Sequence, residues 1–272
     1  NTKNFESVLD TFILPLLKAV DLDENRFFIV PGNHDVERDK ISETFENGLN
    51  NELINNEIFS EFYKNKLKKK EEDYNLISRR LESFSALKET LQNKNIIASN
   101  FFYDTYKFKV NGLDIGLVGL NSTWRSSQYG KDEDRLIIGD DIFCEAMEPI
   151  KDCHLKIGFC HHPLEILAKW DYRLLKNSMA QNIDILMTGH IHDSEFEYSQ
   201  FLLGNLYVFT CGSLYSPKFI QGYSIIEFDF PNKNLCLNLR KWYPVRREFD
   251  QETEKCEGGI IKKSFECANT KK

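Results

Sequence analysis

Five of the six histidines of this chain fall in three short segments: Gly32-Asn33-His34-Asp35, His161-His162-Pro163 and Gly189-His190-Ile191-His192. A neutral imidazole can coordinate a metal through one nitrogen while a neighbour holds the other, so histidine is the commonest metal ligand near neutral pH. Asn33 adds a neutral carboxamide oxygen, and the Pro31-Gly32 turn ahead of it can aim that group without steric conflict. His190 and His192 stand two apart, so an extended backbone would send both to one side. Imidazole plus oxygen suits Mn, Fe, Zn or Ni better than Ca or Mg, whose shells are all oxygen. The residue types point to a transition-metal centre.

Each segment follows a short apolar run. Phe27-Phe28-Ile29-Val30 leads into Pro31-Gly32, Leu155 to Cys160 leads into His161, and Ile183, Ile185, Leu186 and Met187 lead into Thr188-Gly189. Runs of this length ended by Gly or Pro predict strands buried on both faces. Ligands of open α/β sheets collect beyond the carboxyl ends of such strands, so three polar tips can share one rim. Tyr106 to Val118 reads as a hairpin through Asn111-Gly112, and Tyr223 to Trp242 reads as a second one. Hairpins added to buried strands predict two sheets packed face to face with helices outside.

In their order and setting the three histidine segments resemble the later motifs of the calcineurin-like metallophosphoesterase family, over roughly residues 5 to 230. The resemblance implies an α/β fold, a four-layer αββα sandwich of two mixed sheets flanked by helices. It implies that Asn33, His161 and His190 hold one metal and His192 the other. It assigns His34 to protonating the leaving oxygen or steadying the phosphorus centre, with Asp35 orienting His34. It implies a hydroxide shared by two divalent transition ions (Mn, Fe, Zn or Ni) attacking phosphorus in line. The expected reaction is hydrolysis of a phosphodiester, nucleotide or nucleic acid, ahead of a phosphomonoester. His162 reads as a hydrogen-bonded core residue more than as a ligand.

The family opens with Asp-x-His and Gly-Asp-x-x-Asp motifs, the second of which supplies a carboxylate bridging both metals, and neither precedes Asn33. The stripe Phe5, Val8, Leu9, Phe12, Ile13, Leu16 and Leu17 fits the amphipathic helix that usually follows that second motif, which implies further residues upstream of Asn1. The internal Asp152-Cys153-His154 is no substitute, because an extended path places it about 23 Å from the rim. This leaves one metal's ligands and part of the other's. A second expectation follows, a catalytically inactive scaffold like the retromer subunit that resembles this family.

A chain of 272 residues fits one large α/β domain with insertions. We expect a domain over residues 1–247 with a helical insertion at about 37–100, then a peripheral tail or linker over 248–272. In the insertion, Ile77, Leu81, Phe84, Leu87 and Leu91 form one apolar stripe, and Lys64 to Lys70 followed by Glu71-Glu72-Asp73 read as a solvated, charge-compensated face, ahead of a cap whose lysines steer a phosphate polyanion. A net charge of −7 argues against a nucleic-acid binder driven by charge alone. No window approaches a membrane span. Seven scattered cysteines without a Cys-x-x-Cys pair read as reduced thiols, hence a cytoplasmic protein, with Cys160 as a small buried filler. Arg125 is a candidate phosphate clamp or a surface arginine, and Gly212-Ser213 could approach the rim. Residues 32–35, 117–125 and 161–164 also resemble metallophosphoesterase modules that open large bacterial defence proteins, which implies further domains beyond Lys272.

Overall fold

Alternating apolar residues build the centre of the molecule. In the computed structural model, residues 7–201, 204–214 and 221–265 are described. Strands β1 (Ile96–Ser99), β2 (Tyr103–Val110), β3 (Leu113–Leu120), β4 (Leu155–Cys160), β5 (Ile185–Thr188), β6 (Glu195–Phe201) and β7 (Gly204–Thr210) form one sheet in the order β1-β2-β3-β4-β5-β7-β6. Its middle, β3-β4-β5-β7, is parallel, and its edges are antiparallel. Strands β2 and β3 meet at Asn111 and Gly112, with φ of 50° and 83°, the left-handed pair that a two-residue hairpin turn requires.

A second sheet holds β8 (Gly222–Asp229), β9 (Asn234–Tyr243), β10 (Glu248–Gln251) and β11 (Ile260–Ser264). Strand β9 pairs with all three others. Leu235, Leu237 and Leu239 of β9 face Ile115, Leu117, Leu155, Ile157, Ile185, Tyr207 and Phe209 across the gap between the sheets. The predicted two-sheet core is therefore present. The outward row of β8, Ile225, Glu227 and Asp229, is exposed. The segment read as a peripheral tail instead supplies β10 and β11, and Phe265 at its end is buried. These strands are short and polar, so their own sequence gives little period-2 signal.

Helices come before and between the strands: α1 (Leu14–Ala19, after a wider turn at Leu9–Ile13), α2 (Glu43–Glu52), α3 (Asn56–Phe62), α4 (Glu72–Ser78), α5 (Glu82–Leu91), α6 (Asp140–Met147) and α7 (Lys169–Asn182). Ser42 and Asn55 cap α2 and α3 by accepting the Phe45 and Ile58 N–H groups. The predicted stripe Ile77, Leu81, Phe84, Leu87 and Leu91 is buried throughout, although a tighter turn at Arg79–Leu81 divides it between α4 and α5. Of the N-terminal stripe, Ile13 and Leu17 are buried, Phe12 and Leu16 are exposed, and Phe5 lies outside the described residues. Helices α6 and α7 are the crossovers that join parallel β3 to β4 and β4 to β5. They cover the sheet face opposite the second sheet, where Val118, Leu120, Leu186 and Leu206 point. Among the described residues no helix is long and apolar enough to cross a membrane.

Phe27 to Val30 departs from expectation. It is extended and half-buried, but it joins no ladder. Side chains hold it instead. Phe28 lies edge-on to Tyr106 at 4.8 Å and stacked on Phe108 at 5.5 Å, and Asn93 Nδ2 donates to the Phe27 carbonyl at 3.0 Å. Phe28 and Val30 therefore lie against the sheet without entering it, while Phe27 and Ile29 pack on Ile13, Leu17, Leu87 and Leu91.

Candidate metal centre

Register places the site. Leu120 of β3 pairs with Cys160 of β4, Phe159 of β4 with Met187 of β5, and Thr188 of β5 with Thr210 of β7. Continuing each strand past its last pair puts Ser122, His162, His190 and Gly212 side by side along one carboxyl-end rim. Bonds past the strand ends keep this alignment: Gly189 N–H donates to the His161 carbonyl at 3.0 Å and Cys211 N–H to the Thr188 carbonyl at 2.9 Å. Gly212 sits against the neighbouring turn, where a Cβ would lie 3.5 Å from Ser194 Oγ.

The first histidine segment meets this rim through a tight turn. Gly32 N–H donates to Asp35 Oδ2 at 2.7 Å, and Asp35 N–H donates to the Gly32 carbonyl at 3.0 Å. Burial pushes the Asp35 pKa up, while the Gly32 bond and the nearby His34 oppose it. Asp35 thus shapes the backbone that presents Asn33 and His34, rather than bonding the His34 ring directly. Gly32 packs closely on the site, because a Cβ there would come within 3.3 Å of the His161 ring and push on it. His34 is exposed at the rim.

Three donor atoms converge. His161 Nε2 lies 3.2 Å from Asn33 Oδ1 and 3.2 Å from His190 Nδ1. One ring nitrogen from each of His161, His162 and His190 lies within 4.8 Å of the other two. The ring centroids are 4.7 Å apart for His161 and His162, 5.1 Å for His161 and His190, and 4.6 Å for His162 and His190. Burial, helped by the neighbouring imidazoles of His190, His34 and His192, lowers the His161 pKa to about 4. Burial likewise takes His162 to about 3, and it lowers His190 against the opposing charges of Asp132 and Glu133. The clustered rings are therefore neutral at pH 7, the form that offers a lone pair to a cation.

His190 and His192 reach the rim differently from the extended spacing expected of them. Their φ angles are 68° and 56°, in a bend that follows β5. Left-handed backbone is uncommon for a residue with a Cβ and is a recognised mark of functional turns. His192 lies near enough to act electrostatically on His161 and His190, but the ring nitrogens that converge are those of His161, His162 and His190. The remaining histidine, His154, is exposed and accepts the Asp114 N–H through Nδ1 at the far end of β4.

Two residues are placed where spacing did not put them. Ser122 Oγ lies 3.0 Å from His162 Nδ1 and accepts the His162 N–H at 3.0 Å. Nothing in residue types marks this pairing, and only the β3–β4 register reveals it. Arg125 is neither a phosphate clamp nor a surface residue. It is 1% exposed, with Nε donating to Glu46 Oε1 at 3.1 Å and Nη2 donating to Asn50 Oδ1 at 2.6 Å. Cys160 is a buried thiol that donates to the His162 carbonyl, and burial pushes its pKa up to about 12, which fits an inert filler. No disulfide joins the described cysteines. The lysines of the insertion form exposed pairs, Lys66 with Glu71, Lys64 with Asp141 and Lys68 with Glu145, as a solvated face would.

No curated protein matches the sequence. Among solved structures, wild-type Vps29 from Entamoeba histolytica complexed with zinc is similar at 14% identity, covering 68% of this chain and 77% of that one, with a TM-score of 0.26. A single mutant of the same protein is similar at 15% identity and a TM-score of 0.22, with coverage of 58% of each chain, so this chain spans little over half of that one. The model of the calcineurin-like phosphoesterase family matches residues 3–194, and the chain belongs to that family.

Proposed function

We propose that this protein is a metal-dependent phosphoesterase that hydrolyses phosphodiesters of nucleotide or nucleic-acid type in preference to monoesters. The observation that carries the reading is the convergence of Asn33, His161 and His190. A tetrahedral ion with bonds of about 2.0–2.1 Å has ligand–ligand edges of about 3.3–3.4 Å. The two 3.2 Å separations around His161 Nε2 match such edges. Asn33, His161 and His190 would hold one ion and His192 a second. Divalent transition ions there would supply a nucleophile at neutral pH and Lewis-acid stabilisation of phosphoryl charge.

The chain's own residues do the rest. The turn locked by Asp35 presents His34 at the rim, where an imidazole can pass a proton to the leaving oxygen. Burial keeps the ligand imidazoles unprotonated. Because His34 is exposed, the approach stays open to a substituent on a second ester oxygen, so a diester can enter. A second reading, a non-catalytic interaction module, is favoured by one observation: the clustered His161, His162 and His190 include no carboxylate.

Turnover of bis-p-nitrophenyl phosphate and p-nitrophenyl phosphate with added Mn²⁺ separates the two readings. The phosphoesterase reading expects metal-dependent hydrolysis that favours the diester and is lost in His161→Ala. An ion-loaded protein inert toward both esters would overturn it in favour of the module.

A further inference from the structure

We infer that His162 is a metal ligand, so that His161, His162 and His190 form a three-imidazole seat for the first ion; this rests on the metal-centre reading above. His162 is fully buried, and its Nε2 has no hydrogen-bond partner among the described residues. Buried ring nitrogens are almost always satisfied, so an orphan beside two neutral imidazoles asks for a specific occupant.

Ser122 decides which nitrogen is free. Its Oγ already accepts the His162 main-chain N–H and lies at 3.0 Å from Nδ1. If the hydroxyl donates to Nδ1, Nε2 carries a proton that is buried without an acceptor. If Nδ1–H donates to Oγ, Nε2 keeps a bare lone pair that nothing in the protein meets, and a cation would satisfy it. Fixing one ring nitrogen through a hydroxyl, carbonyl or carboxylate is how proteins orient a ligating imidazole. His162 has both that support and that unmet bonding capacity. The ring also lies where a ligand must: its centroid is 4.6 Å from that of His190 and 4.7 Å from that of His161. Asn33 Oδ1, 3.2 Å from His161 Nε2, would add an oxygen donor to the same ion. The seat would take a borderline ion such as Zn²⁺ or Co²⁺.

The test is to load the protein with one equivalent of Co²⁺ and count the contact-shifted exchangeable imidazole N–H resonances in water. Three are expected. His162→Gln should leave two and weaken the first equivalent by more than about 100-fold, beyond the 10–100-fold cost of losing a supporting partner. His192→Ala and His154→Ala should keep three. Two resonances in the unaltered protein, or loss of one of three in His192→Ala, would overturn the assignment. The wild-type count stands even if His162→Gln does not fold. If wild-type protein takes up no ion at all, the metal-centre reading fails as a whole. If it takes up an ion that His161→Ala loses, and the count is two, only His162 is removed.

Discussion

Lys255 Nζ donates to Asp193 Oδ1 at 2.5 Å, one residue past His192, and also to the Ser194 carbonyl. Lys255 lies between β10 and β11, so the last part of the chain holds the turn that presents His190 and His192. The left-handed backbone of that turn needs such outside support.

Lys255→Met should therefore separate stability from metal binding. An ion pair that is partly exposed contributes at most about 1 kcal/mol, so the urea midpoint should barely move. Metal affinity, measured by calorimetry, should fall severalfold as the turn loosens. Equal affinity in the variant would show that the turn holds itself.

His34→Ala should lower phosphodiester turnover by about 10²- to 10⁴-fold, the range for a lost general acid, while metal content stays at the wild-type level. Unchanged turnover would remove His34 from the mechanism. Loss of metal with the side chain would make it a ligand instead.

The metal-free protein should lose stability in mild acid. The folded-state pKa values of His161 and His162 are lowered to about 4 and about 3 from 6.5. As pH falls through 6.5, the unfolded chain binds protons that the folded chain refuses, so these rings stabilise the fold fully above 6.5 and progressively less toward pH 4. Urea midpoints at pH 7.5 and 4.5 check this. The gap between wild type and His162→Gln should shrink at the lower pH, and a constant gap would contradict it.

Glu46 is fully buried and accepts from three arginines, Arg80 at 2.8 Å, Arg125 at 3.1 Å and Arg135 at 3.5 Å. This cluster ties helix α2 of the insertion to the loop that follows β3. Glu46→Gln leaves buried guanidinium charge uncompensated, which costs about 3–5 kcal/mol. Denaturant titration measures it. A loss below about 1 kcal/mol would mean that solvent enters the cluster.

Much of this architecture is legible in the chain. Strands β4 and β5 announce themselves as apolar runs ending at His161 and at Gly189, and Asn111-Gly112 fixes one hairpin because few residue pairs tolerate two left-handed positions. The clustering of His161 with His190 follows from those strand ends. Other features depend on partners far along the chain. The burial of Arg125 follows from Glu46, which lies on another element and shares no spacing with it. Ser122 meets His162 only because β3 and β4 are parallel in one register. Phe27 to Val30 has the composition of a strand, but pairing depends on neighbours and not on composition. Strands β10 and β11 are short and polar, and β9 recruits them.

Metal content tests the central claim most directly. After loading with Mn²⁺ or Zn²⁺ and gel filtration, elemental analysis of the folded protein should find at least one equivalent of the ion, with His161→Ala retaining essentially none. A wild-type protein that emerges free of transition metal, or a His161→Ala variant that binds as much as wild type, would contradict the account.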